Sequence, residues 1–409
     1  MNPWSKSKTQ LSEQGRNATE NEMPRCMYCS KEIEESTSSI EHVIPQFLGG
    51  AYAPDQFKTR LVCRRCNNNL GLFVDAAFGK DWIVSNNLAH LAREAYRCEG
   101  ETSTSGVPLI CMGISDLSPP DMKEGEVCES WLGPNGEQVY LIRPSDEQLY
   151  WYSGGNPITA KQQVSRAYFQ FSENSHRNPR LAWFSFRDAF EDRKVRKIMV
   201  TQVDGADPAS IGFVEPDGID RKRATYFQQA CSESTCRKNN IPLSVHFDHR
   251  FLGKLALGVA AAVFGESILE TAYSRELRNL LWYRGDGCDG NAPAVFGATA
   301  YTKQFDTQFL QFTGLVDAVV VTLAPIGDGI ALTLNIGTKQ VWVVKCADFR
   351  ELDDQQRAAV THGCVLVLSK AQKRSMQLTL PAFVGAQTRT DRPLSFGKLE
   401  SLVDSPRAA

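Results

Sequence analysis

The sequence predicts an α+β protein, with a small cysteine-bearing module at the N-terminus and a larger strand-rich mixed α+β region after it. Three observations carry that expectation. Two Cys-x-x-Cys pairs, Cys26/Cys29 and Cys63/Cys66, lie early in the chain. Aromatic and β-branched runs separated by turn residues begin after residue 126. Apolar residues recur at helical spacing between residues 250 and 283.

The chain has 409 residues, 42% hydrophobic and 22% charged, which is an ordinary globular balance. Its length suggests roughly two or three domains. A formal net charge of −2 and a pI near 6.3 argue against a protein that holds nucleic acid through a broad basic surface. Any positive potential must then be local.

Taken in order, residues 1–22 are polar and lack the apolar core of a signal peptide, so they read as a disordered tail. Residues 23–97 form the first module, ending in a helix expected over Trp82–Tyr96. Gly, Ser, Thr and Pro then dominate residues 99–125 and mark a boundary. Residues 98–245 form a strand-rich region, with strands expected at Val139–Ile142, Leu149–Tyr152, Leu181–Phe186 and Ile198–Thr201. Residues 246–390 open with helices marked by Phe251, Leu255, Val259 and Val263, then by Leu269, Tyr273, Leu277 and Leu281, with Gly265 as the break. An antiparallel meander follows at Ala318–Leu323, Ile330–Ile336 and Val341–Val344, and Cys364–Leu368 and Met376–Leu380 add two strands. Residues 391–409 read as a loose polar tail. The longest apolar run, Leu255–Phe264, is about half of the ~20 residues that span a bilayer, so no membrane segment is expected and the protein reads as cytoplasmic.

Of the twelve cysteines, eight are scattered singly and read as buried thiols. Cys26, Cys29, Cys63 and Cys66 differ. Each Cys-x-x-Cys knuckle is a tight turn that aims two sulfurs at one point, so two knuckles complete a tetrahedron around structural Zn²⁺. The zinc substitutes for a core that so small a module cannot build.

Between and after the knuckles stand Ser39-Ile-Glu41-His42-Val-Ile-Pro45, Phe47-Leu-Gly-Gly50, and Cys63-Arg-Arg-Cys66 running directly into Asn67. Here the sequence resembles the HNH endonuclease family, in its branch with a four-cysteine zinc site and a Glu-His-x-x-Pro motif, over about residues 23–80. The resemblance implies a ββα-metal, treble-clef-like module that hydrolyses phosphodiester bonds, with DNA ahead of RNA as substrate. It implies Glu41 and Asn67 as ligands of a catalytic Mg²⁺ or Mn²⁺, and His42 as general base. On architecture alone, residues 100–409 read as a sensing or targeting region, as in restriction or phage-defence nucleases.

The residue types suit that chemistry. A hard cation held by one carboxylate and one amide oxygen keeps positions open for water and phosphate oxygens. A neutral histidine, with an ordinary pKa of about 6.5, accepts a proton from attacking water near neutral pH. Adjacent strand residues point to opposite faces, so Glu41 and His42 reach one site only if the hairpin bends or twists. The family's middle Asn is missing: no Asn lies between residues 51 and 66, and its place falls near Lys58 or Thr59, where Thr59 can offer a hydroxyl.

Lys58, Arg60, Arg64 and Arg65 cluster beside the second knuckle and read as a local phosphate grip rather than a merely solvated face. His246-Phe-Asp248-His249 invites a second metal site, but no distant partner completes it, and a strand-to-helix connection is the default. The basic stretch Arg177–Lys197 also holds Asp188, Glu191 and Asp192, which favours a solvated helix face. The competing reading of the module is a non-catalytic zinc unit that binds nucleic acid or a protein. Such a unit needs neither Glu41 and His42 nor Asn67.

Overall fold

A computed structural model describes residues 23–99, 106–145, 164–190, 194–201, 207–232, 238–241, 245–283, 297–300, 312–389 and 393–404. The fold is α+β. It divides into two compact units, one made of Met1–Phe78 together with Val245–Ala409, the other of Gly79–Ser244.

The first unit begins with the cysteine module. Strands β1 (Glu41–His42) and β2 (Lys58–Thr59) pair antiparallel, with Glu41 opposite Thr59 and His42 opposite Lys58. Helix α1 (Arg64–Leu70) follows, with Cys63 as its N-cap. The β1–β2 connection is a chain of short 3₁₀ turns closed by the glycine pair. Gly49 adopts φ +93°, and a Cβ on Gly50 would fall 1.6 Å from the Ile44 carbonyl oxygen, so only glycine lets the loop fold back on β1. After α1 the chain runs through a π-type turn, Gly71–Asp75.

The second unit opens with α2 (Trp82–Glu99) and carries a six-stranded sheet. Its members are β3 (Ile110–Ser115), β4 (Glu126–Leu132), β5 (Gln138–Pro144), β6 (Ser165–Gln170), β7 (Val195–Met199) and β8 (Asn239–Asn240), in the order β7-β6-β5-β4-β3-β8. Only the β6–β7 pair is parallel. Period-two alternation feeds two cores. Val139, Leu141, Ala167 and Phe169 pack against Trp183 and Phe186, while Tyr140, Ile142, Tyr168 and Ile198 pack against Phe227. Trp183 and Phe186 belong to α3 (Pro179–Asp188), and Phe227 to α4 (Gly218–Ser232).

The rest of the first unit starts at α5 (Val245–Phe264) and α6 (Ala272–Trp282), separated at Gly265, where φ is +87°. Helix α5 is apolar nearly all round, with Phe251, Leu255, Leu257, Val259 and Ala260 buried, as expected of a helix enclosed by its own fold. It packs against α6 and against the second six-stranded sheet, which is wholly antiparallel in the order β14-β13-β10-β11-β12-β9. The strands are β9 (Gly297–Ala298), β10 (Val319–Ile326), β11 (Gly329–Ile336), β12 (Gln340–Asp348), β13 (Cys364–Ser369) and β14 (Arg374–Thr379).

Three expectations need correction. Leu181–Phe186 lies in helix α3 and not in a strand, because Asn178 caps the Leu181 N–H at 3.2 Å and Pro179 opens the first turn. Aromatic content resembled a strand where capping chemistry set a helix. The C-terminal stretch is not loose throughout. Phe396–Asp404 forms a helix that buries Phe396 and Leu399 against Val365 and Val367, with the Phe396 N–H held by Asp317 at 2.7 Å. His246–His249 sits inside α5 rather than in a connection, and Asp248 accepts from the Trp342 indole at 2.8 Å and from the Ala300 N–H at 3.0 Å. The expected strand at Leu149–Tyr152 and the 1–22 tail lie outside the described residues. Among the described residues no helix is long and apolar enough to cross a membrane.

Candidate active site and zinc centre

The four knuckle cysteines converge. The sulfurs of Cys26, Cys29, Cys63 and Cys66 all lie within 4.8 Å of one another. A tetrahedral zinc with Zn–S bonds of about 2.3 Å places its sulfurs roughly 3.8 Å apart, so the set fits that ion. Among the described residues it is also the single group of three or more His, Cys, Asp or Glu with such convergence.

Local structure explains the convergence. Ser30 adopts φ +58° and donates its N–H to the Cys26 carbonyl at 2.8 Å, closing the first knuckle. In the second, the Cys66 N–H points at the Cys63 sulfur at 3.5 Å. Packing couples the thiols. The Cys66 thiol against it pulls Cys26 down to about 5, while that shared proton and burial push Cys66 up. A cation would replace those protons. Helix α6 braces the first knuckle from outside, through Arg278 to the Met27 carbonyl at 2.8 Å and Trp282 to the Tyr28 carbonyl at 2.9 Å.

The hairpin sends its two candidate residues into different surroundings, as strand alternation requires. His42 is half-buried opposite Lys58. Glu41 is 3% exposed and turned inward. Its carboxylate accepts the Tyr28 hydroxyl at 3.1 Å and pairs with the Lys254 ammonium at 2.7 Å. Lys254, 2% exposed, also donates to Asp75 at 2.5 Å. Burial alone would push the Lys254 ammonium down, but Asp75 and Glu41 hold it above the ordinary lysine value. Burial pushes Asp75 up to about 6, against the pull of Lys254.

Asn67 lies on the first turns of α1 and donates its side-chain amide to the Ile40 carbonyl at 2.9 Å and to the Ser39 hydroxyl at 3.1 Å. It thereby ties the helix to the residue preceding Glu41. No hydrogen bond joins Glu41, His42 and Asn67 to one another among the described residues. Thr59 accepts the Leu61 N–H at 3.1 Å, steadying the loop that leads to the second knuckle. Arg60 and Arg65 are exposed, Arg64 reaches the Ser36 carbonyl at 3.2 Å, and Lys58 pairs with Asp55 at 3.1 Å.

Sequence reasoning missed Lys254, Asp75 and Tyr28. A signal was present, because Lys254 is a lone cation flanked by Phe251-Leu-Gly and Leu255-Ala-Leu, and a lysine in so apolar a run is almost never buried without a partner. The partners themselves could not be read locally, since even the nearer, Asp75, stands 179 positions earlier.

Residues 26–83 match the family model described as HNH endonuclease. The four-cysteine cluster agrees with the zinc-bearing branch of that family. The chain matches none of the curated proteins and none of the solved structures compared with it.

Proposed function

We propose that the N-terminal module is a metal-dependent HNH endonuclease that hydrolyses phosphodiester bonds in DNA ahead of RNA, with zinc held by Cys26, Cys29, Cys63 and Cys66. The observation that carries the reading is the β1–β2–α1 unit built on the four-thiol cluster, within the segment that matches the family model.

In this reading His42 takes the proton from the attacking water, and its half-exposed position leaves it open to substrate. Glu41 and Asn67 are the residues that would hold a catalytic Mg²⁺ or Mn²⁺. A divalent cation, when bound, supplies charge stabilisation at the scissile phosphate. Tyr28 fixes the Glu41 carboxylate by hydrogen bonding, and Asn67 fixes the backbone just before it. Arg64 and Arg65 grip the backbone phosphates from the exposed side of α1. Plasmid DNA incubated with Mg²⁺ or Mn²⁺ tests the reading. Nicking by wild type and its loss in His42→Ala are expected, and no nicking by wild type under either metal would overturn it.

A second reading, a zinc module that binds without cutting, draws support from one specific observation. Lys254 already neutralises the Glu41 carboxylate. In that case DNA binding would persist and nicking would be absent.

A further inference from the structure

We propose that the second unit holds a cavity for a small ligand carrying two or more phosphate groups, of the nucleoside polyphosphate class, gripped by Arg93, Arg97, Arg177 and Arg180. The site is independent of the nuclease reading, because every residue in it belongs to the second unit.

Convergence is the first observation. All four arginines line one cavity of 770 Å³, within the roughly 300–1,000 Å³ of small-molecule sites. They reach it from separate segments. Arg93 and Arg97 stand one turn apart on α2, Arg177 ends the 3₁₀ turn Glu173–Arg177, and Arg180 lies in the first turn of α3. Tyr96 and Leu181 add an apolar wall of the kind that receives a base.

Charge is the second. Elsewhere in this unit the buried or half-buried arginines, Arg143, Arg166, Arg196 and Arg223, each pair with a carboxylate. Arg93 is half-buried too, yet among the described residues it makes no hydrogen bond or ion pair, and its Nε is buried. Arg177, which is exposed, has none either. Arg97 pairs with Glu94 at 2.5 Å, and Arg180 lies over the Phe184 ring. The buried Glu137 carboxylate acts on Arg93 from a distance, but its hydrogen bonds come from Asn135 and Ser175. Four guanidiniums thus face two carboxylates, which leaves two positive charges over.

Chemistry selects the ligand. Burial, then the neighbouring Arg97, draws Arg93 below the ordinary arginine value, but a guanidinium does not deprotonate in a protein. An arriving anion therefore gains more here than on a solvated face. Phosphate oxygens match the planar guanidinium fork, and two linked phosphates present enough of them to engage several forks at once.

The test is calorimetric titration of the full-length chain with ATP, with no nucleic acid present. Wild type is expected to bind, and Arg93→Gln and Arg177→Gln should each weaken binding by at least about tenfold, the worth of one charge-assisted hydrogen bond. Arg187→Gln, on the same helix but paired with Asp188 outside the cavity, should bind like wild type. If circular dichroism shows Arg93→Gln unfolded, Arg177→Gln decides alone, because its side chain is exposed. No binding of ATP by wild type at about 1 mM, or an equal loss in Arg187→Gln, overturns the proposal. A single-stranded DNA oligonucleotide is the second probe. If Arg177→Gln weakens DNA binding while ATP fails to bind, the cavity is a stretch of nucleic-acid track and the small-ligand proposal falls.

Discussion

Each unit buries an ion network, and the two differ in how completely they balance. In the second unit, Asp220 is fully buried and both its oxygens are doubly satisfied. Oδ1 meets Arg166 at 2.6 Å and the Tyr168 hydroxyl at 2.9 Å, and Oδ2 meets Arg196 at 3.1 Å and the Asp217 N–H at 3.1 Å. Asp217 pairs with Arg166 at 2.8 Å, so two guanidiniums face two carboxylates. In the first unit, one ammonium faces two carboxylates and a carboxylate oxygen is left over. A balanced network that holds a helix onto a sheet is structure. An unbalanced one carries a net negative charge into the interior, which is costly to bury.

The largest effect is expected at the four-cysteine cluster, whose sulfurs draw two segments of the first unit together. Cys63→Ser/Cys66→Ser should lose zinc and the fold of the module, because structural zinc supplies on the order of 10 kcal/mol in isolated zinc modules. Metal analysis of protein purified without added zinc checks this, and zinc retained at full occupancy would mean the ligands are wrong.

The balanced network gives the next largest effect. Asp220→Ala leaves Arg196 without its carboxylate and Arg166 with Asp217 alone and should cost on the order of 3 kcal/mol, whereas Asp75→Asn, which relieves the imbalance, should cost far less. Burial opposes the ionised form of Asp220, but its hydrogen bonds from Arg166, the Asp217 backbone, Arg196 and Tyr168 prevail and hold it below the usual carboxylate range. The folded chain therefore binds this proton less tightly than the unfolded chain. The resulting stability is fully present above a pH of about 4 and is lost as pH falls through the folded value. Urea melts between about pH 5 and 2 should show that loss in wild type and a flatter profile in Asp220→Asn. Equal costs for Asp220→Ala and Asp75→Asn would erase the distinction between the two networks.

The smallest effect belongs to the exposed face of α1. Arg64→Ala/Arg65→Ala should lower the slope of log affinity against log salt for DNA by roughly two, one for each phosphate that an arginine no longer neutralises. Fluorescence anisotropy at several salt concentrations reads it. An unchanged slope would move the phosphate grip elsewhere in the chain.

Legibility in the sequence followed the range of the interaction. The knuckles were readable because each is local, and Glu41, His42 and Asn67 became candidates only through the family resemblance that places them around those knuckles. Strands such as Val319–Ile326 and Gly329–Ile336 announce themselves through β-branched runs with a glycine turn between. Leu181–Phe186 misled because a single capping residue, Asn178, outweighed the composition of the segment. The C-terminal helix was hidden by a polar average over sparse apolar anchors, Phe396 and Leu399. What no local pattern held was the joining of residues before Phe78 to those after Val245, and with it the approach of Lys254 to Glu41 and Asp75. That approach depends on which elements share a core, and sequence spacing carries no record of it.

The nuclease reading itself meets its most direct test in cleavage rates measured across a Mn²⁺ titration for wild type, His42→Ala, Glu41→Ala and Asn67→Ala. Loss of a general base typically costs on the order of 100- to 10,000-fold, and added metal does not restore it. His42→Ala is therefore expected to stay inactive at every Mn²⁺ concentration, while Glu41→Ala and Asn67→Ala regain activity as Mn²⁺ rises. Three variants that all cut like wild type would contradict the nuclease reading.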